Sequence, residues 1–214
     1  MKTSTWQSLL AVAILALLIG ILTRAVLTAH QQIPAINPLA ATWLPQAKIL
    51  PDFQLKRADG KILSPATLQG QWTLLFFGYT FCPDVCPMTL ALLKQVHTQL
   101  KTLNPPLNIE FVFVSVDPER DSLERLGQYV PYYDPDFIGA TGEPAELTKL
   151  TQAVGILAVK VPNADNTSYL IDHGTALILL NPQAQFQAVF SAPHQAAHLV
   201  ADLTTFQRYY EAHR

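Results

Sequence analysis

The chain has 214 residues, 50% of them hydrophobic, and a formal net charge of -2 at pH 7. This length and apolar content suit one folded domain behind an N-terminal segment. Lys and Arg form no cluster along the chain, so the sequence predicts neither nucleic acid nor an anionic membrane surface as a partner.

An apolar run lies near the start of the chain. Leu9 to Leu22 is apolar apart from Gly20, and extension back to Trp6 gives about 17 residues, the lower limit for a membrane-spanning helix. A signal peptide would need a small residue where Leu27 stands in a candidate cleavage site. For residues 1–29 the pattern therefore favours an uncleaved membrane anchor over a signal segment.

Charges at the two ends of this run indicate its orientation. Lys2 and Arg24 nearly balance each other, and the α-amino group tips the positive-inside rule toward a cytoplasmic N-terminus. We therefore expect the domain outside the cytoplasm, on the periplasmic side of a bacterial inner membrane or in the equivalent intermembrane space. Exported thiols face an oxidising compartment.

The next segment predicts a tether and then a domain. Residues 30–47 hold three prolines and little periodicity, which is typical of a tether, and residues 48–214 form the predicted domain. Near its start, Pro51–Leu55 and Ile62–Leu63 predict a hairpin closed by an Asp-Gly turn.

A βαβ unit follows. Trp72–Phe77 and Ile109–Val116 are apolar runs typical of buried strands, and Met88–Val96 between them has helical periodicity. Strands joined in this way are expected to be parallel with a right-handed crossover.

The rest of the chain alternates helices and strands. Further helices are predicted at Leu123–Val130, Glu143–Val154 and about His194–Tyr210, and further strands at 137–142, 155–161, Ala176–Leu180 and Gln185–Phe190. This order predicts an α/β fold with a mixed central sheet flanked by helices. A loop with two cysteines, Cys82 and Cys86, directly follows the first central strand, and in this respect the arrangement resembles a thioredoxin-like fold.

The chain has two cysteines, Cys82 and Cys86, where the buried strand passes into the helix. Free N–H groups and the dipole at a helix start favour thiolates, and four-residue spacing lets the sulfurs share a metal or form a disulfide. The spacing departs from the common Cys-x-x-Cys redox motif. Two thiolates suit Cu(I) or zinc, but a third ligand must come from elsewhere.

Three motifs in order carry a family resemblance. They are GYTFCPDVCP (Gly78–Pro87), DPERD (Asp117–Asp121) and YLIDH (Tyr169–His173). The chain resembles the Sco/SenC family of copper-binding assembly factors for cytochrome c oxidase over roughly residues 49–210. The resemblance implies a copper ion held by Cys82, Cys86 and His173.

The resemblance also implies partners. Copper would pass to subunit II of a haem-copper oxidase, and an upstream copper donor or a thiol reductant would act before it.

By ligand type alone, two cysteines and a histidine also suit zinc with water in a fourth position.

Several neighbouring residues have two interpretations. Asp172 either orients His173 or caps its loop, and Asp84 either tunes the thiolates or, as we favour, caps the helix.

Asp117–Asp121 is either a capping loop with a surface arginine or a motif that shapes the site, with Asp121 or Ser122 as the N-cap. His194 and His198 have metal-ligand spacing, but a solvated helix face is favoured because no acidic residue lies between them.

A second class of function stays open. Cys82 and Cys86 can act as the disulfide pair of a thiol-disulfide oxidoreductase or thiol peroxidase, which thioredoxin-like folds often are. We favour a metallochaperone over an enzyme, because the enzyme would give the His173 loop no required role.

Overall fold

The computed structural model describes residues 5–29, 36–165 and 167–212. Its helices are α1 (Thr5–Ala29), α2 (Val85–Lys101), α3 (Leu123–Tyr133), α4 (Pro144–Val154) and α5 (Ala196–Ala212). Its strands are β1 (Ala41–Lys48), β2 (Leu55–Arg57), β3 (Ile62–Leu63), β4 (Trp72–Gly78), β5 (Ile109–Ser115), β6 (Ile138–Thr141), β7 (Ala158–Pro162), β8 (Tyr169–His173), β9 (Leu177–Leu180) and β10 (Phe186–Phe190). The chain divides after Asn37 into two compact units.

The first unit holds α1, which covers the apolar run that the sequence predicted as a helix. Its side chains from Leu9 to Arg24 are exposed. Within the described residues, no helix combines the length and the apolar character that a membrane crossing requires. Lys2 and residues 30–35, the first part of the predicted tether, lie outside the described residues.

The predicted tether extends too far along the chain, because its last part is strand β1. This strand pairs antiparallel with β10, with Ala41 opposite Phe190, and Trp43 packs against Phe206 of α5 at 4.6 Å between ring centroids. Pro45 is compatible with the strand because β1 lies at the edge of the sheet. The second unit accordingly begins at Pro38.

The central sheet has the order β1-β10-β9-β4-β5-β6-β2-β3. Strand β4 is parallel to β5 and antiparallel to β9, so the sheet is mixed, as predicted. Every residue of β4 is buried, which explains its unbroken apolar sequence. The predicted hairpin near residue 60 is present as β2 and β3.

Helices cover both faces of this sheet. Leu75 and Phe77 belong to a core cluster that includes Leu147 and Leu150 of α4. Because side chains alternate along a strand, Trp72 faces the other side, where its ring meets Tyr210 of α5 at 5.5 Å, and α2 packs between α5 and α3 on that side. The predicted α/β fold with flanking helices is therefore confirmed.

The motif Tyr169–His173 was predicted as a loop and is instead strand β8. It pairs antiparallel with β7, with His173 opposite Ala158 and Tyr169 opposite Pro162. The two strands form a separate sheet. Residue 166, inside the connection between these strands, lies outside the described residues.

The carboxylate of Asp202 in α5 fixes the start of β1. It accepts hydrogen bonds from the backbone N–H groups of Leu39, Ala40 and Ala41 at 2.7, 2.8 and 2.9 Å, and Asp202 is 2% exposed. These donors would otherwise lack a partner at the edge where the domain begins.

We predict that Asp202→Ala lowers the free energy of unfolding by about 1 to 3 kcal/mol, because it removes a buried carboxylate that accepts three part-buried N–H groups. Urea unfolding of the purified protein measures this change. Asp52 is exposed, so Asp52→Ala is the control and should change stability by about 0.5 kcal/mol or less. Equal stability of the two variants would contradict the assigned role of Asp202.

Candidate metal centre

The cysteine loop joins the carboxyl end of β4 to the start of α2. Cys82 lies in the loop and Cys86 lies in the first turn of α2, so the pair spans the helix start. The backbone N–H of Cys86 points at the sulfur of Cys82, with 3.5 Å between N and Sγ. An otherwise unpaired helix-start amide therefore faces one of the two sulfurs.

His173 reaches the same place from the end of β8. Its Nε2 lies 3.6 Å from Sγ of Cys86, and one ligand atom from each of Cys82, Cys86 and His173 lies within 4.8 Å of the others. Nδ1 of His173 is 3.1 Å from the carbonyl oxygen of Gly174. In the tautomer with its proton on Nδ1, the Nδ1–H group donates a hydrogen bond to this oxygen, and the lone pair of Nε2 is directed at the sulfurs.

Burial controls the protonation of this group. It raises the pKa of the Cys86 thiol far above its ordinary value, so Cys86 is a neutral thiol at pH 7. The prediction that the helix start would favour a thiolate is therefore wrong for Cys86, because desolvation outweighs the helix-start effect. Burial also lowers the pKa of His173, so its imidazole is neutral at pH 7.

Gly78, the last residue of β4, makes room for the Cys86 sulfur. A Cβ atom on Gly78 would lie 2.7 Å from Sγ of Cys86 and 2.8 Å from Cε2 of Phe113. Both distances are far below van der Waals contact. A glycine at position 78 is therefore required for Cys86 to occupy its place beneath the loop.

Asp84 does not act as the sequence suggested. It occupies the N-cap position of α2, but its side chain makes no capping hydrogen bond. The favoured prediction that Asp84 caps the helix through its side chain is therefore wrong.

Asp172 does not orient His173 by a hydrogen bond. The Gly174 carbonyl takes that position, and Asp172 is exposed while Ile171 on the His173 side of the strand is buried. Alternation along β8 directs the Asp172 carboxylate away from the imidazole.

Asp121 holds the cysteine loop, a role that sequence reasoning missed. Its fully buried carboxylate accepts hydrogen bonds from N and Oγ1 of Thr80 at 2.8 and 2.6 Å and from Oγ of Ser115 at 2.6 Å. Ser122 caps α3 by accepting from the N–H of Arg125. The sequence left Asp121 and Ser122 as alternative caps, and only the tertiary contacts distinguish them.

Among the other histidines, His97 belongs to the second group of potential metal ligands in the described residues, together with Asp134 and Asp136. His97 lies between Asp134 and Asp136, 2.8 Å from one through Nδ1 and 3.9 Å from the other through Nε2. Two carboxylates and an imidazole are harder donors than two thiolates and an imidazole, so this group does not offer the soft donor set of the cysteine site. His194 precedes α5 and its Nε2 faces the Thr175 carbonyl at 2.9 Å, so His194 and His198 do not share a helical face.

Two cysteine sulfurs and one imidazole nitrogen, brought together where β4 ends, form a donor set for soft metals. A thioredoxin-like fold with this donor set defines a protein of soft-metal or thiol chemistry. The SCO1/SenC family model matches residues 42–208. The chain belongs to this family.

Similar proteins agree with this membership. The Arabidopsis thaliana protein SCO1 homolog 1, mitochondrial, is 35% identical over 69% of this chain and 43% of its own length. The crystal structure of Arabidopsis thaliana ScoI with copper bound is 33% identical, covers 75% of this chain and 99% of its own, and has a TM-score of 0.69. Bradyrhizobium japonicum ScoI with copper bound is 35% identical, with coverages of 73% and 98% and a TM-score of 0.64.

The match spans 43 to 56% of the length of the mitochondrial relatives from Arabidopsis thaliana, Bos taurus and Homo sapiens. The activities and partners of those longer proteins therefore apply to this chain only as proposals.

We predict that Gly78→Ala lowers the free energy of unfolding by about 1 to 3 kcal/mol, because the added methyl overpacks the site. It should also displace the Cys86 sulfur and speed alkylation of Cys86, measured by mass spectrometry. Gly127→Ala in α3 is the control, since its Cβ would meet Ala58 Cβ at 3.6 Å, an ordinary contact. If both variants are as stable as the native protein and alkylate at its rate, Gly78 does not have this role.

Proposed function

We propose that the protein carries one copper ion as cargo at Cys82, Cys86 and His173 and delivers it to subunit II of a haem-copper oxidase. The observation that carries the proposal is the convergence of these three side chains from two distant segments to within 4.8 Å. Copper-bound structures of similar proteins from Arabidopsis thaliana and Bradyrhizobium japonicum support the choice of metal. The recipient is the one that membership of the family implies.

The number of ligands favours copper over zinc. In the described residues, the group around the two cysteines contains three candidate ligands from His, Cys, Asp and Glu. Structural zinc sites are almost always four-coordinate, whereas two thiolates and an imidazole are soft donors that suit Cu(I). Zinc would need a water molecule in the fourth position.

Each protein ligand would contribute differently. Cys86 is buried and must release its thiol proton before it can bind metal as a thiolate. His173 is already neutral and directs Nε2 at the sulfurs. Cys82 is the more exposed sulfur, so an incoming donor or recipient would exchange ligands there first.

The location follows from the same proposal. We place the domain outside the cytoplasm, with the apolar N-terminal segment as its attachment to the inner membrane. The relatives named mitochondrial and the apolar run of the sequence support this location. An upstream copper donor and a thiol reductant would be its further partners.

The location predicts that a reporter fused to the C-terminus is active only when it requires export, because the positive-inside rule leaves the N-terminus in the cytoplasm. Alkaline phosphatase and a cytoplasmic fluorescent protein provide the two reporters. Strong cytoplasmic fluorescence with inactive phosphatase would contradict the exported location.

Copper loading tests the proposed site directly. We expect one Cu(I) per chain in the reduced protein, no stoichiometric binding in Cys82→Ser or Cys86→Ser, and weaker binding in His173→Ala than in the native protein, because one of the three ligands is lost. Competition with a Cu(I) chelator measures these affinities. His198→Ala, a partly exposed histidine outside the group, should bind as the native protein does.

Undiminished loading in either cysteine variant would reject the site. The alternative function, a thiol oxidoreductase, predicts a different outcome, because dithiol exchange would be the activity that matters and His173 would be dispensable for it. Full biological function of His173→Ala would therefore favour that alternative.

We predict that disulfide formation and copper binding exclude each other, because one pair of sulfurs cannot be thiolate ligands and a disulfide at once. Metal-free protein is titrated with Cu(I) before and after oxidation by diamide, with free thiols counted at each point. The oxidised protein should bind no Cu(I) at this site. Tight binding by protein with no free thiols would show that the cysteines are not the ligands.

A further inference from the structure

Arg120 lies between the two segments that carry the metal ligands. Its guanidinium carbon is 3.6 Å from the ring centroid of Tyr169 and 4.9 Å from that of Phe81. Tyr169 begins β8, which ends at His173, and Phe81 directly precedes Cys82. One planar side chain therefore contacts the segment leading to each kind of ligand.

Hydrogen bonds through two of its nitrogens, Nε and Nη1, fix this guanidinium. Its Nε donates to the fully buried carboxylate of Asp117, and its Nη1 donates to the backbone carbonyl of Tyr169 at 2.9 Å. The Tyr169 hydroxyl donates to the other oxygen of Asp117 at 2.8 Å. Asp117 follows β5, so these bonds connect β8 to the end of a central strand.

The β7–β8 hairpin has few other attachments near the site. Each residue of β7 is exposed and β8 has one buried residue, Ile171, and neither strand is hydrogen-bonded to the central sheet. From the cysteine segment, Tyr79 contacts β8 with its hydroxyl at the Ile171 backbone and its ring 5.8 Å from that of His173, and the Cys86 sulfur lies 3.6 Å from Nε2 of His173. The position of His173 depends on how the start of β8 is held.

We propose that Arg120 is a positioning residue whose contacts with Tyr169 and Phe81, here called the clasp, connect strand β8 to the cysteine loop. These contacts keep the three ligands together without metal. The proposal rests on the copper site proposed above. Arg120 contacts no ligand atom itself; it acts through Tyr169 on one side and Phe81 on the other. When the clasp is lost, His173 moves away with the hairpin while Cys82 and Cys86 stay at the helix start.

The first test needs no metal. In the reduced native protein, nuclear Overhauser contacts between the rings of Tyr79 and His173 report the closed arrangement. Arg120→Gln should lose these contacts and speed hydrogen exchange in β7 and β8, while exchange in β4 and β5 stays at the native rate. Retention of the native contacts and exchange rates in Arg120→Gln would overturn the proposal.

The second test is a double-mutant cycle on Cu(I) affinity. Arg120→Gln alone should weaken binding about tenfold, which is typical of a residue that orients a metal ligand. In a His173→Ala background the same change should have almost no effect, because the ligand that Arg120 positions is already gone. Equal losses in both backgrounds would assign Arg120 a general structural role instead.

Two further variants test whether the geometry of the Arg120 side chain matters or only a positive charge near Tyr169. Lys160 also lies over the Tyr169 ring, at 4.9 Å, and is exposed and paired with Glu119, so Lys160→Gln should leave affinity and ring contacts unchanged. Arg120→Lys keeps the charge without the planar fork and should behave as Arg120→Gln does. Full rescue by lysine would show that charge alone matters and would reject the clasp.

Tyr169→Leu approaches the clasp from the other side and applies even if the Arg120 variants fold poorly. It removes the ring that covers the guanidinium and should cause the same loss of Tyr79–His173 contacts. A native ring contact in this variant would overturn the proposal. If the native protein itself does not bind copper, the copper proposal fails, but the metal-free measurements still decide the role of Arg120.

Discussion

The complete burial of strand β4 is the constraint on which the site depends. Both faces of this strand are covered by helices, and its parallel partner β5 ends beside it at Ser115. The carboxyl ends of the two strands therefore deliver the cysteine loop and the Asp117–Asp121 motif to the same edge. The buried strands therefore fix the cysteine side of the site, whereas His173 comes from the exposed β7–β8 hairpin.

The burial of Cys86 at this edge of the sheet opposes the ionisation of its thiol, which metal binding requires. Cys86 fills the space beside Gly78, and its desolvated sulfur is protonated at neutral pH. Metal binding requires the opposite state, because a thiolate is the better ligand. Burial is the main cause of the raised pKa of Cys86, and the negative charge of the buried Asp121 carboxylate raises this pKa further. Asp121 therefore holds the cysteine loop in place and also opposes the ionisation of Cys86.

The sequence predicted those parts of the fold whose signal is local. The apolar runs of β4 and β5 and the periodicity of α2 have no competing interpretation, and the hairpin of β2 and β3 follows from its turn residues. Strands β1 and β8 were missed because their pairing depends on β10 and β7, which lie elsewhere in the chain. The prolines near β1 and the polar residues before β8 are equally compatible with loops.

The candidate site shows the same division between local and tertiary information. Family motifs identified Cys82, Cys86 and His173, and the structure brings them together. The roles of Asp84, Asp172 and Asp121 were not predictable, because each aspartate has a plausible local capping role and only tertiary contacts show which carboxylate is used. The protonation of Cys86 was misjudged for the same reason, since the helix start is visible in sequence and the depth of burial is not.

The pairing of β1 with β10 also affects how the domain forms. Ala41 lies near the start of the domain and Phe190 near its end, and Asp202, which binds the N–H groups before and at the start of β1, lies later still. The first strand therefore cannot complete its contacts until almost the whole chain has been synthesised. Such long-range closure slows folding, because the entropy of bringing the two ends of the domain together is lost before their contacts form.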